Sequence, residues 1–260
     1  MKSMSVLSAV AGVVAAALNP LMAAAVPVRF AEGVTHGFLV LRDDDGAALA
    51  QGDLLQVGRN GEIEKRMVFR FKDGSVFDER VTYTERGVYA LKSYSLSKTG
   101  PAFEADTEIS MTTATGAYRV KTKDRKGGAE KILEGKLDFP ADVYNGMILT
   151  VVKDLSKGAG EIIHYVAFTP QPRVIELELT PVGEQKITVG ELTKTAVHYV
   201  MKPRLGIWLR FFATILRRVP EDFHAWILTD EVPAFVGFEG SLTTPGPVWR
   251  IDLVSPRRPG

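Results

Sequence analysis

Apolar and polar residues alternate along much of the first half of the chain. In the clearest stretch, Met67, Phe69 and Phe71 fall on one face of an extended segment and the intervening residues fall on the other. Short stretches of this kind are separated by turn-forming pairs at Asp45-Gly46, Asn60-Gly61, Asp73-Gly74, Arg86-Gly87, Gly100-Pro101 and Gly127-Gly128. Residues 37–137 are therefore predicted to form a meander of antiparallel strands with one face in the core.

The pattern changes between Pro140 and Gly158. Apolar residues recur there at steps of three and four, at Tyr144, Met147, Ile148, Val151, Val152 and Leu155. With Asp142 as the N-cap and Gly158 just past the end, this spacing predicts a helix over residues 142–157. Gly146 opposes that prediction, since a glycine inside a helix costs about 1 kcal/mol.

Strands are predicted to resume after this helix. Their expected bounds are Glu161–Phe168, Val174–Thr180, Gln185–Val189, Thr195–Met201, Phe223–Leu228, Val232–Phe238 and Val248–Val254. We find no linker, repeat or low-complexity stretch that divides this region from the first half. We therefore expect one domain over residues 26–260.

An amphipathic segment interrupts these strands at Leu205–Arg218. Its apolar residues fall within one arc of about 160° on a helix, at Leu205, Trp208, Leu209, Phe211, Phe212, Ile215 and Leu216. The polar side carries Arg210, Thr214, Arg217 and Arg218. Since Pro203 and Pro220 bracket the segment, a second helix is predicted here.

These patterns together indicate a mainly β fold. We expect an antiparallel barrel or strongly curved sheet of roughly ten to thirteen strands, with one or two packed helices.

The N-terminus has the three-part layout of a secretory signal peptide. Lys2 precedes an apolar run from Val6 to Leu18, and small residues at Ala23–Ala25 suit cleavage just before Val26. The apolar run is shorter than the roughly 20 residues that a membrane-spanning helix needs. Residues 1–25 are therefore predicted to be removed, and the mature protein to reside in the periplasm or cell envelope of a bacterium.

The amino-acid composition excludes several kinds of catalysis and binding. The chain contains no cysteine, which excludes thiol catalysis, thiolate metal sites and disulfides. Cleavage would remove one lysine and no acidic residue, leaving the mature chain without net formal charge. A balanced chain lacks the basic field on which non-specific nucleic-acid binding depends, so no nucleic-acid partner is expected.

Candidate catalytic and metal-binding residues are sparse. No two of the four histidines, His36, His164, His198 and His224, have the spacing that places two ligands on one helical face. We expect no metal and no cofactor. Ser241 follows a glycine, but the second glycine of a nucleophile elbow is missing. A hydrolase that uses Ser241 or His224 remains an alternative.

The predicted second helix suggests two roles. In the first, its apolar face covers a cavity in the domain, and Trp208, Phe211, Phe212, Ile215 and Trp226 contact an apolar ligand. In the second, the helix docks to a membrane surface or an envelope partner, with contacts from Arg210, Arg217 and Arg218.

The C-terminal part resembles the ending of a group of uncharacterised exported bacterial β-rich proteins. The segments that carry the resemblance are VPEDFHAWIL (219–228), EVPAFV (231–236) and GPVWRI (246–251). It covers about the last 60 residues, implies an envelope location and lends no catalytic residue.

The function expected from the sequence is therefore non-catalytic. The protein would bind an apolar small molecule or a lipid in the cell envelope, with membrane or partner docking through residues 205–218 and hydrolysis as the two alternatives.

The signal peptide yields a direct test. N-terminal sequencing of the protein recovered from the periplasmic or secreted fraction of its host should give a sequence beginning near Val26. Exported protein that still begins at Met1 or Lys2 would refute the prediction.

Overall fold

A computed structural model of the chain describes residues 25–155, 159–168, 171–189, 192–204, 221–229, 232–243 and 246–254. These residues form a single 14-stranded sheet in which every neighbouring pair of strands is antiparallel. The prediction of a mainly β fold built on one strongly curved antiparallel sheet is confirmed, with slightly more strands than expected.

The sheet contains two meanders. The first runs through β1 (Thr35–Arg42), β2 (Ala48–Arg59), β3 (Glu62–Phe71), β4 (Val76–Arg86), β5 (Val88–Thr99), β6 (Ala105–Thr112), β7 (Ala117–Asp124) and β8 (Glu130–Lys136). The second runs through β9 (Glu161–Ala167), β10 (Arg173–Val189), β11 (Leu192–Arg204), β12 (Phe223–Leu228), β13 (Ala234–Ser241) and β14 (Val248–Val254). Pairing of β1 with β14 joins them into one sheet.

The two strands at the sheet edges, β8 and β9, are consecutive in the chain. The segment between them must cross from one edge to the other, and it contains the helix α1 (Ile148–Lys153). The sheet curls far enough for the Tyr94 ring of β5 to stack on Phe168, which follows β9, with centroids 6.2 Å apart. Curling of this kind encloses the inner face, where the core lies.

Alternation within the strands decides which side chains reach the core. Phe69 and Phe71 are buried, as the sequence pattern predicts, and Met67 packs against the same core. Phe77, Val81 and Tyr83 of β4 are likewise buried, at 3 % relative exposure or less.

The predicted helix over residues 142–157 is much shorter than expected. Only Ile148–Lys153 is helical, and it begins after Met147, which makes no side-chain capping bond. Gly146 has a φ of +70°, in the left-handed region, so the chain cannot enter the helix earlier. Four of the six apolar residues of the pattern are nevertheless buried, at Tyr144, Met147, Val151 and Val152, while Ile148 and Leu155 are partly buried.

Asp142 is not the N-cap of this helix. Its backbone carbonyl accepts a hydrogen bond from the amide of His164 at 3.0 Å, and the carbonyl of His164 accepts one from Tyr144 at 2.9 Å. The side chain of Asn145 bonds both the amide and the carbonyl of Val166, at 2.7 and 2.9 Å. Residues 142–145 therefore lie along the edge of β9 that no other strand pairs with. They form hydrogen bonds with backbone groups that a sheet edge would leave unpaired.

The predicted helix at 205–218 lies outside the described residues. No helix among the described residues is long and apolar enough to cross a membrane.

The segment before β1 is tied to α1 through the buried carboxylate of Asp154. One carboxylate oxygen accepts hydrogen bonds from the amides of Arg29 and Phe30, at 2.6 and 2.7 Å, and the other accepts one from the Tyr89 hydroxyl. Asp154 is only 1 % exposed. These bonds join three separate parts of the chain at one buried point.

Replacing Asp154 should therefore destabilise the fold strongly. Asp154→Ala leaves three donors without their acceptor, and we expect a loss of about 3 kcal/mol in the free energy of unfolding. Urea denaturation measures this loss. The exposed Asp44 is the control, since Asp44→Ala should change the free energy by less than about 0.5 kcal/mol. Equal effects of the two substitutions would contradict the structural role of Asp154.

Gly52 provides a second test of the packing. A Cβ atom built at Gly52 would lie 2.5 Å from two ring atoms of the fully buried Phe69. Gly52→Ala should therefore destabilise the protein by about 1–3 kcal/mol through overpacking. At Gly58 on the same strand, a Cβ atom would meet its nearest neighbour at an ordinary 3.5 Å. Gly58→Ala should be tolerated, and a thermal melt of both variants separates the outcomes.

Candidate functional site

The inner face of the curled sheet lines a partly open cavity of about 1220 Å³. Apolar side chains from both meanders form most of its wall, among them Leu39, Leu54, Met67, Phe77, Met201 and Trp249. Ligand pockets usually measure about 300–1,000 Å³ and have mostly apolar walls with a few polar groups. The cavity therefore has the size and lining of a site for a large apolar molecule.

Lys65 of β3 introduces a positive charge into this apolar wall. It occupies the inward position two residues before Met67, and its ammonium donates a hydrogen bond to the Thr150 hydroxyl of α1 at 3.1 Å. Burial lowers the pKa of Lys65 to about 8, against the opposing effect of the nearby Glu79. The group is therefore mostly protonated at neutral pH and poorly solvated.

Glu79 of β4 lines the same region of the cavity. Its carboxylate accepts a hydrogen bond from the buried Tyr94 hydroxyl at 3.1 Å. Burial raises the pKa of Glu79, although the positive charge of Lys65 acts in the opposite direction. The Lys65 ammonium and the Glu79 carboxylate form no ion pair, and their charged atoms are more than 4.0 Å apart.

Two other charged residues on the cavity wall form an ion pair with each other. Lys153 forms an ion pair with Glu32, and both side chains are largely buried. Gln56 donates to the same glutamate at 2.6 Å and accepts from the Tyr83 hydroxyl at 3.1 Å. These groups satisfy one another, so they stabilise this part of the cavity wall without offering a free charge.

The outer face carries a different cluster, on β10, β11 and β12. The indole of Trp226 donates to Gln185 at 2.9 Å, and Gln185 donates to Nδ1 of His198 at 3.4 Å. His198 can then donate from Nε2 to Nδ1 of His224, which is 2.9 Å away. Burial and the neighbouring His224 lower the pKa of His198, which favours this neutral arrangement.

His164 of β9 and the neighbouring Asp142 form another polar pair. Nδ1 of His164 is 2.7 Å from a carboxylate oxygen of Asp142, whose side chain is fully buried. The other carboxylate oxygen has no hydrogen-bond partner. Such a pair can orient an imidazole for proton transfer, but none of the described hydroxyl groups bonds the second ring nitrogen of His164.

The described residues do not form the serine–histidine arrangement that the hydrolase alternative requires. Ser241 donates its hydroxyl hydrogen to the backbone carbonyl of Thr243. Within the described part of the chain, no histidine forms a hydrogen bond with Ser241, and His224 bonds His198 instead. No three or more His, Asp or Glu side chains in this part lie close enough together to hold a metal ion.

Of the residues predicted to contact an apolar ligand, Trp226 is the one that the structure describes. It lies on the outer face, stacked on the His198 ring at 4.8 Å, and lines an outer groove and not the cavity. The other predicted contacts, Trp208, Phe211, Phe212 and Ile215, lie outside the described residues. Arg210, Arg217 and Arg218 lie outside them as well.

Sequence reasoning missed the polar groups of the cavity. A usable signal existed in β3 and β4, where the alternation that buries Phe69 and Phe77 also places Lys65 and Glu79 on the inward face. Charged residues at inward positions break the expected pattern and indicate a cavity or a function.

Comparisons with known proteins add a distant structural likeness. No protein-family model matches the chain, and no curated protein matches it. It is similar to a crystal structure of a β-barrel-like protein of domain of unknown function DUF1849 from Brucella abortus. The likeness covers 86% of this chain and 97% of that one, with a TM-score of 0.44 and 10% sequence identity.

Proposed function

We propose that this protein is an exported, non-catalytic binding protein that holds an apolar ligand or a lipid in the cavity of its curled sheet. The observation that carries the proposal is the largely apolar cavity of about 1220 Å³, which is partly open to solvent. Protein interiors are normally packed almost without voids. A space of this size is therefore better explained by an occupant than by loose packing.

The wall suits a long apolar molecule. Aromatic and aliphatic side chains contribute from the first meander, at Leu54, Phe77 and Leu96, and from the second, at Phe238 and Ile251. Each methylene group of a ligand that leaves water for such a wall gains about 0.8 kcal/mol. Chain length should therefore dominate affinity.

The location proposed for this activity is the bacterial periplasm or envelope, on the basis of residues 1–25. Apolar molecules crossing an aqueous compartment need to be shielded from water, and a cavity of this kind provides the shield.

A matched pair of leucines on β2 tests the cavity. Leu54 lines it, whereas its neighbour Leu55 points to the opposite face of the strand and is 44% exposed. Leu54→Trp should fill part of the cavity and weaken binding of the fluorescent probe 1-N-phenylnaphthylamine by about tenfold. Leu55→Trp should bind the probe as the wild type does. Both variants should retain the far-UV circular dichroism of the wild type.

Two results would overturn the proposal. One is the absence of saturable probe binding by the wild type. The other is an equal affinity for the probe in the wild type and in a folded Leu54→Trp variant.

A further inference from the structure

Lys65 has more hydrogen-bonding capacity than the protein uses. A lysine ammonium carries three N–H donors, and the Thr150 hydroxyl accepts from one of them. Among the described residues, no carboxylate oxygen lies within 4.0 Å of this ammonium. The group faces a largely apolar cavity, where an unpaired charge is unfavourable.

The other charged groups on the cavity wall are either engaged or exposed to solvent, as Glu104, Asp124 and Lys131 are. Lys153 pairs with Glu32, and the ammonium of Lys98 lies 5.8 Å above the ring of Phe103. Glu79 accepts from Tyr94. Lys65 therefore differs from Lys153 and Lys98 in having neither an acidic partner nor an aromatic ring for its charge.

We propose that the ligand is a long-chain carboxylate whose head group binds the Lys65 ammonium beside the Thr150 hydroxyl, while its chain lies against the apolar wall. This inference rests on the proposed function and specifies the chemical class of the ligand. A carboxylate would occupy donors that the protein leaves free and would pair the charge within a low-dielectric space.

The surrounding charges favour a single negative charge. Glu32 and Lys153 balance each other, whereas the Lys65 ammonium has no carboxylate oxygen within 4.0 Å among the described residues. The raised pKa of Glu79 allows that group to take up a proton when a second carboxylate enters. A doubly charged phosphate monoester would place an excess negative charge beside Glu79 and is less well matched.

The test compares dodecanoate, dodecanol and dodecyl phosphate as competitors of 1-N-phenylnaphthylamine on the purified mature protein. Dodecanoate should bind about tenfold more tightly than dodecanol, as expected for one hydrogen-bonded charge pair. Lys65→Met should abolish that preference by weakening the binding of dodecanoate far more than that of dodecanol. Lys98→Met, which removes another lysine from the same cavity, should keep the preference.

The dependence on pH has a defined sign. Deprotonation of Lys65 removes the charge pair, so the preference for dodecanoate should begin to fall as the pH rises above about 8. Titration of Glu79 acts in the same direction, since its ionisation repels the ligand. Dodecanol binding should not change over this range.

The outcomes separate the two proposals. If none of the three compounds displaces the probe, the proposed function fails together with this inference. If dodecanol and dodecanoate bind equally and Lys65→Met changes neither, the inference is wrong and the cavity function stands. Tighter binding of dodecyl phosphate than of dodecanoate would overturn the assignment of a carboxylate.

Discussion

The ladder between β1 and β14 is the pairing on which the rest of the fold depends. It joins strands near opposite ends of the chain, from Phe38 opposite Val254 to Arg42 opposite Arg250, and turns two meanders into one sheet. On this ladder, Asp252 accepts hydrogen bonds from the side chains of Arg42 and Arg250 at 3.1 and 2.8 Å. Without this pairing each meander would keep its local hairpins, but neither would enclose the cavity. Closing so long a loop is entropically unfavourable, so we expect the two meanders to form before they join.

The curvature of the sheet explains why charged side chains can lie in its interior. A flat sheet would expose Lys65 and Glu79 to water, and they would then be ordinary surface charges. Curling brings α1 against the inner face, where Thr150 meets Lys65, and it removes the solvent that would screen both charges. The lowered pKa of Lys65 and the raised pKa of Glu79 have this common cause. Glu32 and Lys153, which also line the cavity, form an ion pair with each other and stabilise the structure instead.

The crossing segment between β8 and β9 has two roles. Residues 142–145 satisfy the exposed edge of β9, where the side chain of Asn145 replaces a missing strand. Residues 148–154 then enter the interior and supply both Thr150 at the cavity wall and Asp154 at the anchor of the N-terminal segment. A change in this segment would therefore affect both the sheet edge and the proposed ligand site. The helix packs through Thr150, Val151 and Val152, which are buried, whereas its other three residues are partly exposed.

The sequence by itself determined the local elements: alternation placed Phe69 and Phe71 inward, and turn residues marked the hairpins, because both are set by neighbouring residues. The apolar spacing around Tyr144 and Val151 coincides with buried positions, but it overestimated the helix, since Gly146 and the bonds of Asn145 to β9 outweigh that spacing. Only the tertiary structure decided which strands join the two meanders and which charges share the cavity. Lys65, Thr150 and Glu32 are distant in the chain, and no local pattern encodes their meeting. Sequence periodicity reports the face that a residue occupies, whereas curvature and long-range pairing decide what that face encloses.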